Sequence, residues 1–210
     1  MILFTFFGYV LYYASKFNTG NNKYMKPTIC AIAAVGPENI IGIGDRMPWH
    51  SQADFYHFRK TTMGYPCVFG RKTFQGLPKH PLPGRLNIVC STRHNNTWGQ
   101  DGVFLASGIE SAIEQSRNFD QIFICGGAGI YDYALNHDLI DIFYLTRVDI
   151  PALAGQIKEN PDRYTYFPKD LGTFFSPDRW QSKKIIYPAD ILPIEKSPIQ
   201  ATFYKFTRTR

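Results

Sequence analysis

"QIFICGGAGIYDYAL", residues 121–135, decides the fold class. Its first half is a short apolar run of the kind a sheet buries on both faces. Gly126-Gly127 ends the run, and AGIYDYAL continues as a helix. A buried strand running straight into a helix is the unit from which parallel sheets are built.

The same alternation extends in both directions. Upstream, TICAIAAV (28–35) reads as a buried strand closed by Gly36-Pro37, and a helix is expected over residues 53–63. PCVFG (66–70) is a strand followed by the short helix RKTFQGL. RLNIVCS (85–91) and VFLA (103–106) are two more strands. Ser107 and Glu110 spell a capping box for a helix through about Arg117. Downstream, DIFYLTRV (141–148) is a strand. WQSKKIIY (180–187) and ATFYKFTR (201–208) follow with no helix between them, which predicts an antiparallel edge. NIIGIGDRMPW (39–49) and PALAGQIKENPDRY (151–164) read as loops. The expectation is a single α/β domain over residues 25–210, with about eight strands. The sheet is mostly parallel, with an antiparallel C-terminal edge and helices on both faces.

Length and composition agree. The 210 residues are 44% hydrophobic and 16% aromatic, enough for one sizeable core. A net charge of +6 suits anionic ligands. No run of basic residues and no RNA-binding motif is present, so nucleic acid is not expected as a substrate. Cys30, Cys67, Cys90 and Cys125 are widely spaced and sit in apolar runs, as core residues in a reducing compartment do. The five histidines have no metal-binding spacing, and no metal is expected.

The first 24 residues stand apart: MILFTFFGYVLYYAS is uncharged and a polar stretch follows. An uncharged run of 15 is shorter than the ~20 apolar residues of a spanning helix. MKPTICAIAAV from Met25 reads as a cytosolic start. Residues 1–24 are expected to be untranslated or dispensable and the protein cytoplasmic; a membrane tether through residues 1–15 is the other reading.

Ligands bind beyond the carboxyl ends of the strands of an open α/β sheet. Three ends here suit an anion: Gly70-Arg71-Lys72-Thr73, Ser91-Thr92-Arg93, and Gly126-Gly127-Ala128-Gly129. Together they predict a nucleotide cofactor, although neither the dinucleotide fingerprint nor the P-loop is spelled. Asp54 is the acid that draws notice. It lies among Ala53, Phe55 and Phe58 on or beside an aromatic helix face, where a solvated charge does not belong. It is either a ligand-binding acid or one that opens the helix.

IAAV, IIGIGDRMPW, AD at 53–54, FGRKTF, PLPGR, NIVCST, ICGGAGIY and LTRVD stand in the order and near-spacing of dihydrofolate reductase. The chain resembles that family strongly over Thr28 to about Asp149 and weakly through Phe206. Asp in place of Glu in the helix is similar to the bacterial pattern.

The resemblance implies an NADPH-dependent reductase of dihydrofolate, inhibited by diaminopyrimidine and pteridine antifolates, with no obligate protein partner. It implies that Ile32 and Ala33 line the pterin pocket and that Ala34 touches the nicotinamide. Ile41 through Met47, Gly42 and Gly44 among them, belong to a mobile lid, with Met47 closing on the nicotinamide. Trp49 holds a water against Asp54, and Asp54, backed by Thr146, binds the pterin's N3 and 2-amino edge. Phe55, Phe58, Leu77 and Leu82 wall the substrate, and Arg85 pairs with its glutamate carboxylate. Gly70, Arg71, Lys72, Thr73, Ser91, Thr92 and Arg93 take cofactor phosphates. Gly126, Gly127, Ala128, Gly129, Ile130 and Tyr131 complete the cofactor side, with a cis peptide at Gly126-Gly127 and Tyr131 near the nicotinamide.

Three features depart from the family. Cys125 stands where Ile or Val is usual. The loop LPKHPLPGR is one residue longer than its short version. Residues 151–164 are longer than the bacterial loop and have no clear match for the acid that steadies the lid in some relatives. A related pterin or pyrimidine reductase and a non-catalytic nucleotide-binding module remain as alternatives. Arg85 and the Asp54 helix argue against the first, and retention of acid and lid against the second.

Overall fold

The computed structural model describes residues 26–92, 102–188, 191–192 and 199–209. The N-terminal extension and Arg93 lie outside the described residues. An eight-stranded sheet forms the centre. It is built from β1 (Thr28–Val35), β3 (Pro66–Gly70), β4 (Leu86–Cys90), β5 (Val103–Ala106), β6 (Gln121–Ile124), β7 (Ile142–Asp149), β9 (Trp180–Ile185) and β10 (Gln200–Arg208). Their order across the sheet is β5-β4-β3-β6-β1-β7-β10-β9. The first six in that order are parallel; β10 runs antiparallel to both β7 and β9.

The helices are α1 (Gln52–Thr62), α2 (Arg71–Gln75), α3 (Ile109–Gln115), α4 (Ala128–Asn136), α5 (Pro151–Glu159) and α6 (Leu171–Phe174). Side chains alternate across a strand, so β1 feeds two cores. Ile29, Ala31, Ala33 and Val35 join Ala112 of α3 and Tyr131, Ala134 and Leu135 of α4 on one face. Cys30 and Ile32 join Phe74 on the other, with Phe58 of α1, Leu77 and Leu82 against them.

Two expected loops carry structure. Ile40–Ile43 is a short strand, β2, paired antiparallel with β8 (Tyr164–Tyr166) in a separate two-stranded sheet. Residues 151–159 form α5, with Pro151 in its first turn and Leu153 and Ile157 buried one turn apart. These two side chains pack with Ile40, Trp49 and Val148 in a third cluster.

The capping box at Ser107 does not form. Gly108 caps α3 without a side-chain bond, and the Glu110 carboxylate instead accepts the Tyr133 hydroxyl from α4. All four cysteines are free and buried. Burial pushes the Cys30 thiol up to about 12 and that of Cys90 up to about 11, so neither is a nucleophile near neutral pH. No helix among the described residues is long and apolar enough to cross a membrane.

Candidate active site

The carboxyl ends of β1, β6, β3, β4 and β5 open on one cleft of about 1650 Å³. On one side α1 supplies Asp54, Phe55 and Phe58. The helix begins where Ser51, as N-cap, accepts the Asp54 backbone N–H at 3.1 Å. Asp54 is therefore a first-turn acid, favoured by the helix dipole, and does not itself cap the helix. It is also 7% exposed and lines the cleft, so its place in the first turn leaves it in the cleft wall.

Ile32, Ala33, Leu77, Leu82, Arg85 and Cys125 line the same end. Arg85 is buried, which sets a guanidinium into this part of the lining. The Cys125 thiol donates to the Phe123 carbonyl at 3.5 Å, and burial pushes its titration well up; it packs as a small apolar group. Thr146 is absent from the lining. It pairs with Ala34 on β1 and Phe203 on β10, fully buried. By alternation it shares the face of Tyr144, which packs with Ile32 and Phe58. The hydroxyl of Thr146 and the indole N–H of Trp49, itself a lining residue, are buried with no hydrogen-bond partner among the described residues. A buried donor left without a partner costs about 1–3 kcal/mol, so both groups favour a polar partner.

The segment expected to be a lid, Ile41 to Met47, lines the cleft. Ile43 and Arg46 exchange backbone hydrogen bonds of 2.8 and 3.3 Å around Gly44-Asp45. Gly44 takes φ +61, which the two-residue turn requires. The turn's tip rests on the end of α2: a Cβ on Gly76 would stand 1.9 Å from the Asp45 carbonyl oxygen. Ile41, Gly42, Gly44 and Met47 all line the cleft, as does Ala34 beneath them.

Across the cleft, Gly70, Arg71, Lys72 and Thr73 stand at the end of β3, and Ser91 and Thr92 at the end of β4. Gly126 through Tyr131 run from β6 into α4, and the Gly126-Gly127 peptide is cis, as is His80-Pro81. The Gly70 N–H donates to the Gly126 carbonyl at 2.7 Å, joining two of the anion-friendly ends. A Cβ at Gly127 would meet the Thr73 hydroxyl at 2.7 Å, so the glycine keeps a backbone cradle open next to a hydroxyl. That cradle fits a diphosphate, as does the excess of cations in the lining: Arg46, Arg59, Arg71, Lys72, Lys79 and Arg85 against Asp45, Asp54 and Glu110.

Every site residue expected from the sequence lines this cleft except Thr146, set back as described, and Arg93, outside the described residues. Arg59, Lys79, Glu110 and Tyr133 also line the cleft and are not expected from the sequence. The Ser107-to-Glu110 spacing points to a cap instead, and the others carry no local signal that separates them from surface polar residues.

The dihydrofolate reductase family model matches residues 28–184. A dihydrofolate reductase type 3 of Salmonella typhimurium is 34% identical over 183 residues, covering 87% of this chain and 99% of that one. A dihydrofolate reductase of Haemophilus influenzae is 37% identical over 142 residues, 68% of this chain and 79% of the relative. Among solved structures, an Enterococcus faecalis dihydrofolate reductase complexed with NADP(H) and RAB-propyl superposes with a TM-score of 0.65 at 21% identity. It covers 89% of this chain and 99% of its own, which shows the shared fold.

Proposed function

This chain belongs to the dihydrofolate reductase family, and we propose that it reduces 7,8-dihydrofolate to 5,6,7,8-tetrahydrofolate with NADPH, using Asp54 to orient the pterin. The observation that carries the residue assignment is the buried carboxylate of Asp54, set in the first turn of α1 and lining a cleft whose remaining walls are apolar or cationic.

NADPH, when bound, supplies the hydride that passes from C4 of its nicotinamide to C6 of the pterin. Asp54 accepts hydrogen bonds from N3 and the 2-amino group, which fixes the ring for attack. Its negative charge favours the proton that N5 must gain, and it need not touch N5 itself. Trp49 offers its indole N–H beside it, and Thr146 backs the pair from β7. Phe55 and Phe58 exclude water from one face of the ring. Arg85 holds the glutamate carboxylate at the outer end. Thr73, Ser91, Thr92 and the Gly126–Gly129 backbone take the cofactor phosphates, with Arg71 and Lys72 adding charge. Arg93 is assigned the phosphate that distinguishes NADPH from NADH. The domain is taken to start at Met25, and four buried free thiols support a cytoplasmic location.

The test is NADPH oxidation with dihydrofolate as acceptor, together with binding of a diaminopyrimidine antifolate, whose protonated ring pairs with an acid at position 54. Turnover and tight binding, both lost in Asp54→Ala, are expected. Turnover with an unglutamated pterin as fast as with dihydrofolate would instead favour the related pterin reductase, because Arg85 would then have no task.

A further inference from the structure

The cleft does not stop at the phosphate cradle. It continues past β4 to the sheet edge, where Ser107, Glu110 and Tyr133 line it. From β1, under the expected nicotinamide, to β5 are four strand steps, roughly 19 Å at the usual spacing near 4.8 Å. That span brings the adenosine end of an extended dinucleotide to β4 and β5. Its ribose then lies among the Ser91, Thr92 and Ser107 hydroxyls, and the acid in this part of the lining is Glu110.

Glu110 is held in place. The Tyr133 hydroxyl donates to its Oε1, and the Tyr133 ring stacks on His137 with centroids 3.9 Å apart and planes 15° from parallel. The same bond keeps the carboxyl below its usual range, so it is charged at neutral pH. The carboxylate also accepts from its own backbone N–H, and its two oxygens keep further lone pairs with which to accept. A fixed carboxylate at such a place accepts from a ribose 2′-hydroxyl and repels a 2′-phosphate. Among the described residues the cations that line the phosphate path, Arg71 and Lys72, stand at the end of β3, two strands inward, so Glu110 acts against Arg93, which follows β4 and is assigned the 2′-phosphate above.

We propose that Glu110, positioned by Tyr133, is a cofactor-specificity residue that narrows this enzyme's preference for NADPH and lets it bind NADH. The proposal rests on the cofactor reading above. It concerns only the ratio of the two affinities, whereas that reading stands or falls on whether NADPH binds at all.

Dissociation constants for NADPH and NADH, measured by quenching of protein fluorescence on the full chain, test it. In Glu110→Gln the NADPH:NADH affinity ratio is expected to rise about threefold to tenfold, through tighter NADPH and weaker NADH. The gain should shrink at high salt, since the site is open to solvent. Tyr133→Phe leaves the charge but unpins it, and should move the ratio part of the way. A ratio unchanged or lowered in Glu110→Gln, or a gain that does not respond to salt, overturns the proposal. Wild-type protein that binds neither cofactor overturns the cofactor reading and this inference together.

Discussion

The Tyr131 hydroxyl donates to the backbone carbonyl of Ile32 across 2.6 Å, tying α4 to the cleft end of β1. Tyr131 is buried, and burial pushes its phenol well up, so it keeps its proton. Its hydroxyl is thus committed to the fold, and its part in the reaction is to position the strand that carries Ala33 and Ala34. Tyr131→Phe removes the donor and leaves a buried carbonyl unmet, which costs about 1–3 kcal/mol. Urea unfolding should record a loss in that range with an unchanged slope. A loss below about 0.5 kcal/mol would mean that the carbonyl finds another donor.

Gly76 is needed for clearance. It caps α2 at φ −77, where any residue fits, yet its missing Cβ lets the Asp45 carbonyl approach. Gly76→Ala should leave α2 intact and hold the lid turn away from it. We expect NADPH to dissociate about tenfold faster, equivalent to about 1.4 kcal/mol of lost closure. Stopped-flow displacement of bound NADPH would measure it. An unchanged off-rate would show that the lid does not use this seat when cofactor is bound.

How much of this was legible in the sequence follows from where each interaction is encoded. The buried strands are plain because both faces of the sheet are covered, so runs such as Leu86–Cys90 or Gln121–Ile124 are nearly continuous in apolar residues. β2 and β8 were not legible: Ile40–Ile43 finds its partner more than a hundred residues away, and Tyr164–Tyr166 is too short to show a period. α5 was obscured by Pro151 and Gly155, although Pro in a first turn and Leu153 with Ile157 were the signal. The Asp54 pocket could be inferred from its motif neighbours. The Glu110–Tyr133 bond joins α3 to α4 across the fold, and Ser107-to-Glu110 spacing pointed to a local partner instead.

His57 gives the fold a pH dependence of its own. It is buried on α1, one turn after Asp54, with Nδ1 2.7 Å from the Tyr187 hydroxyl and its ring against Phe203. Burial first, and Lys60 second, lower its pKa from 6.5 to about 4. The unfolded chain therefore binds this proton more readily than the folded one between those values. Stability supplied by the neutral ring is full above pH 6.5 and is lost as pH falls toward 4, by up to about 3 kcal/mol. Below about 4 this group adds no further slope. His57→Phe should flatten the stability profile over that interval, as read from urea midpoints at pH 7, 6, 5 and 4.5. A profile as steep as that of the wild type would assign the slope to carboxylates.

Asp54→Asn keeps the size of the side chain and its place in the first turn while removing the charge. The N-cap bond runs from the Asp54 backbone N–H to the Ser51 hydroxyl and does not involve the carboxylate, so it survives and folding should be preserved. If the charge only favours the helix dipole, the loss is about 0.3–1 kcal/mol of stability and nothing in rate. If it orients the pterin and favours protonation at N5, hydride transfer at neutral pH should slow by about 10²–10⁴. NADPH affinity should change little, because the cofactor phosphates lie at the ends of β3 and β4. The variant should recover part of its rate at low pH, where the substrate arrives already protonated and the missing charge matters less. Single-turnover rates from pH 5 to 8 separate the two outcomes. An Asp54→Asn enzyme as fast as wild type at pH 7 would leave the acid a helix-start residue and remove it from the mechanism.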